Sequence, residues 1–283
     1  MTMQPPWILR TGASKFASAP LSAKFGIAIV TLYVLIALSA PYLAPYGEAE
    51  IVGTQFEPWS ARFWFGTDNL GRDMLTRLVF GARNTIGIAL VTTTLAFSIG
   101  AFAGLAAATL GGWADQILSR LVDVLMSIPQ LIFALFLLSI FGTSIPTLII
   151  VIAVLDSTRV FRLTRAVAVN AAVCDYVEVA RLRGEGPIWI MTREILPNIT
   201  PTLVAEFGLR FCFVFLLISG LSFLGIGIQP PTADWGSMVR ETATLIVYGD
   251  ITPLLPAGAI ALLAVSVNLV VDWFLHSASG LKD

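Results

Sequence analysis

Few side chains in this 283-residue sequence could act as nucleophiles or bases. Ser222, in the sequence Gly220-Leu221-Ser222, and His276, the only histidine, are candidates for the dyad of an intramembrane protease. A nucleophile and its base must lie within about 3 Å of each other. The apolar segments described below place Ser222 and His276 at opposite ends of two membrane helices, about 30 Å apart. We therefore predict no catalysis by this chain, and the protease is kept only as an alternative.

Nucleotide and metal sites have little support in the sequence. A phosphate-binding loop of the form GxxxxGK[ST] needs a lysine after a glycine, and none of Lys15, Lys24 and Lys282 follows one. Cys174 and Cys212 lack CxxC or Cys/His ligand spacing, so neither a disulfide nor a zinc site is indicated. We interpret both cysteines as small buried residues. The chain is thus expected to contain no cofactor and no motor of its own.

The composition is that of a membrane protein. Apolar residues make up 57% of the chain and charged residues only 12%, whereas an average soluble domain has about 25% charged residues. The formal net charge of -1 gives no reason to expect nucleic acid as a partner. The lipid bilayer is the partner that this composition predicts.

Six segments are apolar and long enough to form membrane-spanning helices, which need about 20 residues. The run over residues 124–155 is too long for one span, and its turn-like sequence from Phe141 to Pro146 divides it into an antiparallel pair. The predicted spans are residues 25–44, 86–110, the pair within 124–155, 203–225 and 251–271. We therefore predict an all-α membrane protein with six transmembrane helices, in which residues 1–24 form a cytoplasmic tail and residues 25–283 a single transmembrane domain.

The distribution of basic residues predicts the orientation. With the amino terminus in the cytoplasm, eleven lysine and arginine residues fall inside and five outside, in agreement with the positive-inside rule. Both termini are then cytoplasmic. The remaining segments are an external segment at 45–85, a cytoplasmic loop at 156–202 and an external loop at 226–250.

The predicted spans contain few groups that could couple transport to an ion gradient. Ion-coupled transporters commonly carry ionisable residues in the middle of their helices. Here only the fifth helix has charges, Glu206 and Arg210 in its first turns, at the i, i+4 spacing of a structural ion pair. Sodium sites built from carbonyl and hydroxyl oxygens remain possible, so an ion-coupled carrier is kept as an alternative. A transporter without an ion or nucleotide site must take its energy from a partner.

The cytoplasmic loop is predicted to form two short helices joined by a tight turn. Asp175 and Glu178 are spaced as a capping box at the start of the first helix, and Gly184 suits its left-handed end. Pro187 suits the first turn of the second helix, and Pro197 is predicted to end it. From periodicity alone, this hairpin could equally rest on lipid headgroups as an amphipathic element.

The residue types in this loop favour contact with a partner protein over contact with lipid headgroups. The segment Glu178–Arg181, followed by Gly184 and by Leu196 and Pro197, resembles the EAA motif of binding-protein-dependent ABC permeases. In that family the loop docks in a groove of the ATPase subunit. Val179 and Glu194 depart from the family pattern, which usually has alanine and often has histidine there. The resemblance implies the following ATPase-coupling residues: Glu178, Ala180, Arg181, Gly184, Leu196 and Pro197.

Two further segments resemble the dipeptide, oligopeptide and nickel branch of these permeases. The first covers residues 65–73 with Gly81–Arg83, and the second covers residues 221–236. The pattern resembles the second, C-type permease of the usual pair. It implies a homologous second permease, two ATPase subunits that bind ATP and Mg²⁺, an external solute-binding protein and a location in the bacterial inner membrane. The cargo would be peptides or similar small solutes.

Uncharged polar residues within the spans are candidates for lining a pore. These candidates are Thr92, Ser98, Ser139, Ser219, Ser222, Ser266 and Asn268. In addition, Gly100 and Gly104 form a GxxxG pattern, which permits close approach of two membrane helices.

Overall fold

The computed structural model describes residues 19–279, and within that range the chain is helical with two isolated β-bridges. The first 18 residues of the predicted tail, including Arg10 and Lys15, and also Lys282, lie outside the described residues. The α-helices are α1 Leu21–Leu43, α2 Met74–Leu110, α3 Gly112–Met126, α4 Gln130–Phe141, α5 Ile145–Ala172, α6 Asp175–Leu182, α7 Pro187–Trp189, α8 Leu196–Phe223, α9 Trp235–Thr242 and α10 Leu254–Ser279. A π-helix, Ile190–Ile195, joins α7 to α8, and a 3₁₀-helix, Ala243–Tyr248, follows α9.

The membrane-protein architecture is confirmed, although the number of crossings does not match six exactly. Four helices of the described chain are long and apolar enough to span a bilayer: α1, α2, the continuous element Pro187–Phe223 and α10. The pair α3 and α4 would count as a fifth span if it is one broken helix. The 28 residues of α5 are long enough to span, but this helix carries Asp156, Arg159, Arg162 and Arg165.

The predicted third span is interrupted. Between α3 and α4 the chain bends by 86° at residues 127–129, so the apolar run that begins near residue 124 is not one straight helix. Pro129 explains the break, because proline lacks an N–H donor and disfavours helical geometry in the residue before it. Helix α3 packs Val122 against Phe161 of α5 and leaves Trp113 exposed. One side of α3 therefore packs on α5, and the helix runs at a steep angle to α4.

The closest helix pairing uses the predicted GxxxG pattern. A Cβ atom on Gly100 would lie 2.4 Å from the carbonyl oxygen of Ser157, and one on Gly104 would lie 2.8 Å from the Cβ of Thr164. Any side chain at these positions would push α2 and α5 apart. The prediction of close approach at Gly100 and Gly104 is thus confirmed, and its partner is α5. This pairing fixes the long helix that leads from the apolar core to the loop before α6.

Candidate functional site

Helix α6 begins one residue earlier than the sequence predicted, at Asp175. Its N-cap residue is Cys174, which makes no side-chain capping bond, so the capping box of Asp175 and Glu178 is wrong. Both carboxylates instead lie in the first helical turn. There they still favour the helix, because negative charge is stabilising near the positive end of the helix dipole.

Helix α6 ends at Leu182, just before Gly184, as the sequence predicted. Gly184 has φ +82°, a conformation that residues with a Cβ rarely adopt. The amide of Glu185 donates to the carbonyl of Ala180 at 3.2 Å, and the amide of Gly184 donates to that of Arg181 at 2.9 Å. These two bonds make a Schellman motif, which satisfies the last carbonyl groups of the helix. The turn is therefore defined by local backbone bonds.

The second helix of the loop starts at Pro187 as predicted, but Pro197 does not end it. The chain passes through the π-helix Ile190–Ile195 directly into α8, and Pro197 lies in the first turn of α8. In an α-helix a proline ring collides with the carbonyl group four residues before it. The wider π-turn, in which the amide of Leu196 donates to the carbonyl of Met191, places the proline at an α-helical start where it is tolerated. The result is one continuous helical element from the loop into the apolar span, Pro187–Phe223.

We call residues 175–197 the EAA hairpin. Its inner side is buried, with Val177 and Ala180 packed against Ile190, Ile195 and the inner end of α5. Ala180 therefore contacts its own chain, not the surface. The other predicted coupling residues are distributed as follows: Glu178, Arg181, Gly184 and Pro197 are exposed, and Leu196 is half-buried.

One departure from the family pattern has a local role. The carboxylate of Glu194 lies 3.6 Å from the guanidinium of Arg183, and Arg183 also lies over the ring of Trp189, 5.7 Å from its centre. These contacts hold the two limbs of the hairpin together across the turn. Among the predicted coupling residues, the exposed surface of the hairpin presents the acidic Glu178 and the basic Arg181.

A second assembly of polar residues lies at the opposite end of the bundle. We call residues 45–85 and 226–252 the loop cap. Within it Asp68 accepts from Arg72 Nε at 2.7 Å and from Arg77 Nη1, and Arg77 Nη1 also donates to Glu241 Oε2 at 2.6 Å. Arg77 and Asp68 are fully buried. Burial would raise the pKa of Asp68, but amide donors from Arg72 and Leu70 and the two guanidinium groups lower it overall.

The two sequence motifs of the loop cap contact each other. The ring of Trp235 is buried against Gly81, where a Cβ would lie 2.7 Å from its Cδ1 atom, and its Nε1 donates to the carbonyl of Leu78 at 2.9 Å. Asp234 accepts from Thr85 Oγ1 at 2.9 Å, and burial raises the pKa of this aspartate. The sequence reasoning identified both motifs but missed this contact, and no spacing signal in the sequence indicates it.

The pore-lining candidates are not brought together. Ser98 and Ser139 are exposed on α2 and α4 and donate to carbonyls of their own helices, as Thr92 does from a buried position. The remaining candidates lie at helix contacts: Ser219 and Ser222 of α8 beside Gly236, Ser266 beside Gly26 of α1, and Asn268, which donates to Ala264. Their role in a pore remains a prediction.

The structure also contains a charge cluster that the sequence reasoning misplaced. Because α5 runs to Ala172 and α8 starts at Leu196, Asp156 and Arg210 lie in the middle of their helices, and the prediction of uncharged helix centres is wrong. Arg210 Nε lies 2.7 Å from Glu206 Oε1, and its Nη1 lies 3.8 Å from Asp156 Oδ1. The cluster joins α5 and α8.

The residues of the protease alternative do not form a site. Ser222 Oγ accepts from the amide of Ile228 within the loop cap. His276 lies in the last turn of α10, with Nδ1 2.7 Å from the carbonyl oxygen of Asp272. Helix α10 starts near the loop cap, where Thr252 accepts from Trp59. The serine and the histidine are thus at opposite ends of the bundle.

Comparison with known proteins identifies relatives over most of the chain. Residues 96–277 match the family described as binding-protein-dependent transport system inner membrane component. The di/tripeptide transport system permease protein of Pseudomonas aeruginosa is 34% identical over 91% of this chain and 85% of its own length. The glutathione transport system permease protein of Pectobacterium atrosepticum is 30% identical over 100% of this chain and 91% of its own length.

The fold also has a counterpart among solved structures. The crystal structure of an amino acid ABC transporter with histidines aligns with a TM-score of 0.54 and covers 72% of this chain and 94% of that one. The sequence identity is 17%, so the likeness concerns the fold.

Proposed function

Because the chain belongs to the family of binding-protein-dependent transport system inner membrane components and is the permease subunit of an ABC importer, we propose that it carries short peptides or glutathione-like compounds. The support for this cargo class is that the relatives include a di/tripeptide permease and a glutathione permease, each at 30% identity or more. The chain is an inner membrane component with several apolar helices.

We further propose its partners and its orientation. A homologous second permease completes the pore, two ATPase subunits bind ATP and Mg²⁺, and an external binding protein delivers the cargo. In this arrangement the chain itself performs no catalysis. Both termini and the EAA hairpin face the cytoplasm, and the loop cap faces outward, as the positive-inside rule favours.

The observation that carries the proposal is the construction of the EAA hairpin. One side, with Val177 and Ala180, is buried against the end of α5, and the chain continues through the π-helix into α8. The other side exposes Glu178 and Arg181 beside a turn fixed by two backbone bonds. A displacement of the exposed side would therefore move α5 and α8. An ATPase that docks on the hairpin needs such a connection to drive transport.

Charge reversal and turn disruption test this role. Glu178→Arg and Gly184→Leu should lower ATP-driven uptake at least about tenfold, equivalent to about 1.4 kcal/mol, while ATP hydrolysis by the assembled complex continues. The measurement is uptake and phosphate release in proteoliposomes containing both permeases, the ATPases and the binding protein. Asp272→Arg, which makes the same charge change at an exposed position of α10, should leave uptake unchanged. Normal uptake by both hairpin variants would contradict the docking role.

One observation favours the ion-coupled alternative. The cluster of Asp156, Glu206 and Arg210 places ionisable groups in the middle of two long helices, α5 and α8, as ion-coupled carriers do. The two functions differ in a simple measurement. An ion-coupled carrier would take up peptide in response to a proton or sodium gradient without ATP, whereas the permease proposed above would take up none without ATP and its ATPase subunits.

A further inference from the structure

In the proposed orientation, the charge cluster lies near the middle of the bilayer. Asp156 is roughly 17 Å of helix rise from the end of α5 that is distant from the EAA hairpin, and Arg210 is about 20 Å from the loop-cap end of α8. The hydrocarbon core is about 30 Å thick. Both residues are thus separated from either surface by most of a leaflet. Ionisable groups at this depth are costly and commonly mark transport pathways.

The ion pairs within the cluster leave the carboxylate of Asp156 without a full set of hydrogen bonds. Asp156 is 1% exposed, and its Oδ2 has no hydrogen-bond partner within the described part of the chain. Its Oδ1 lies 3.8 Å from Arg210, beyond hydrogen-bond distance, while Glu206 takes the closer position at 2.7 Å. Apolar residues of similar size would often give a buried site equal or greater stability than such ion pairs. Helix packing alone therefore does not explain the free carboxylate oxygen.

A cavity of about 120 Å³ adjoins this site at the bend between α3 and α4. Gln130, Thr158 and Arg159 line the cavity. Polar groups that converge on a space of this size can hold water or a small polar group. Arg159 also balances the charge, because with it the cluster has two acidic and two basic residues.

We propose that Asp156, Arg159, Glu206 and Arg210 form a site for the primary ammonium end of a zwitterionic cargo in transit. Asp156 Oδ2 accepts hydrogen bonds from the ammonium group, and Glu206 holds Arg210 in place behind it. A zwitterion adds no net charge to a neutral cluster, whereas a lone cation would, so the cluster favours a peptide over a metal ion. This inference rests on the proposed function, because it assumes a peptide-like cargo.

Binding to the complete transporter without its binding protein tests the proposal. The assembled permeases and ATPases are placed in nanodiscs without ATP, and binding of dialanine, trialanine and glutathione is compared with that of their N-acetyl derivatives. We expect the wild type to bind at least one free peptide about tenfold more tightly than its acetylated form. Asp156→Asn should abolish this preference, and Asp156→Glu, which keeps a carboxylate, should retain part of it. Asp272→Asn, the same change at an exposed position of α10, should have no effect.

The outcomes separate this inference from the proposed function. If the wild type shows ATP-dependent uptake but binds free and acetylated peptides equally at millimolar concentrations, the ammonium site is wrong and the permease function stands. If Asp156→Asn lowers the thermal stability of the complex but keeps the preference, the cluster is only structural. Absence of ATP-dependent uptake by the wild type would refute the proposed function, whatever the binding result.

Discussion

The loop cap and the EAA hairpin are both built around residues that resemble family motifs, but they are held together differently. In the loop cap, Arg77 and Trp235 are buried and bond to residues distant in sequence, Glu241 and Leu78 among them. In the hairpin, the turn is fixed by bonds between near neighbours, and the charged motif residues are exposed. A motif can therefore reflect packing in one place and an available surface in another.

This difference predicts which changes unfold the protein. Arg77→Met should have the largest effect, because it removes one of the two buried guanidinium groups, those of Arg72 and Arg77, that pair with both Asp68 and Glu241. Removing one partner of a buried ion pair costs about 3–5 kcal/mol. We expect a large fall in the melting temperature of the purified complex, measured by intrinsic fluorescence. Arg83→Met, an exposed position on the same helix, is the control and should change stability little. Equal melting temperatures for the two variants would contradict the structural role of the ion network.

A smaller effect is expected where Trp235 packs on α2. Gly81→Ala places a Cβ 2.7 Å from the Trp235 ring, whereas Gly87→Ala on the same helix meets nothing within 4 Å. Alanine improves helix propensity by about 1 kcal/mol at both positions, so the difference between the variants isolates the steric conflict. Overpacking costs about 1–3 kcal/mol. Thermal unfolding should show Gly81→Ala below the wild type and Gly87→Ala at or above it. Equal melting temperatures for the two variants would mean that the Trp235 ring moves to accommodate the added methyl group.

Sequence reasoning predicted the features that depend on local pattern. Long apolar segments, the close approach at Gly100 and the turn at Gly184 depend on composition or on neighbouring residues, and the structure confirms them. The end predicted at Pro197 was wrong, because a proline stops an α-helix but is accommodated after a π-turn.

The features that sequence reasoning missed depend on tertiary structure. Asp156 was assigned to a loop because the apolar run stops before it, yet close packing against α2 extends α5 to Ala172. The contact of Trp235 with Gly81 joins segments more than a hundred residues apart, and no local spacing encodes it. The candidate site shows the same difference between local and tertiary features. The hairpin turn could be predicted from the sequence, whereas the charge cluster and the loop cap could not.

The smallest expected effect on stability is at the turn of the hairpin. Gly184→Ala forces a residue with a Cβ into φ +82°, at a cost of about 1–2 kcal/mol, and the added methyl group contacts nothing. Because the turn is held by local bonds, this cost should appear as local opening with little change in global unfolding. Hydrogen exchange should be about tenfold faster at the Gly184 and Glu185 amides and unchanged in the loop cap. Gly186→Ala, where there is also open space and φ is −75°, serves as the control. If Gly184→Ala instead accelerated exchange in the loop cap, the two regions would be energetically coupled, and the contrast between them would not hold.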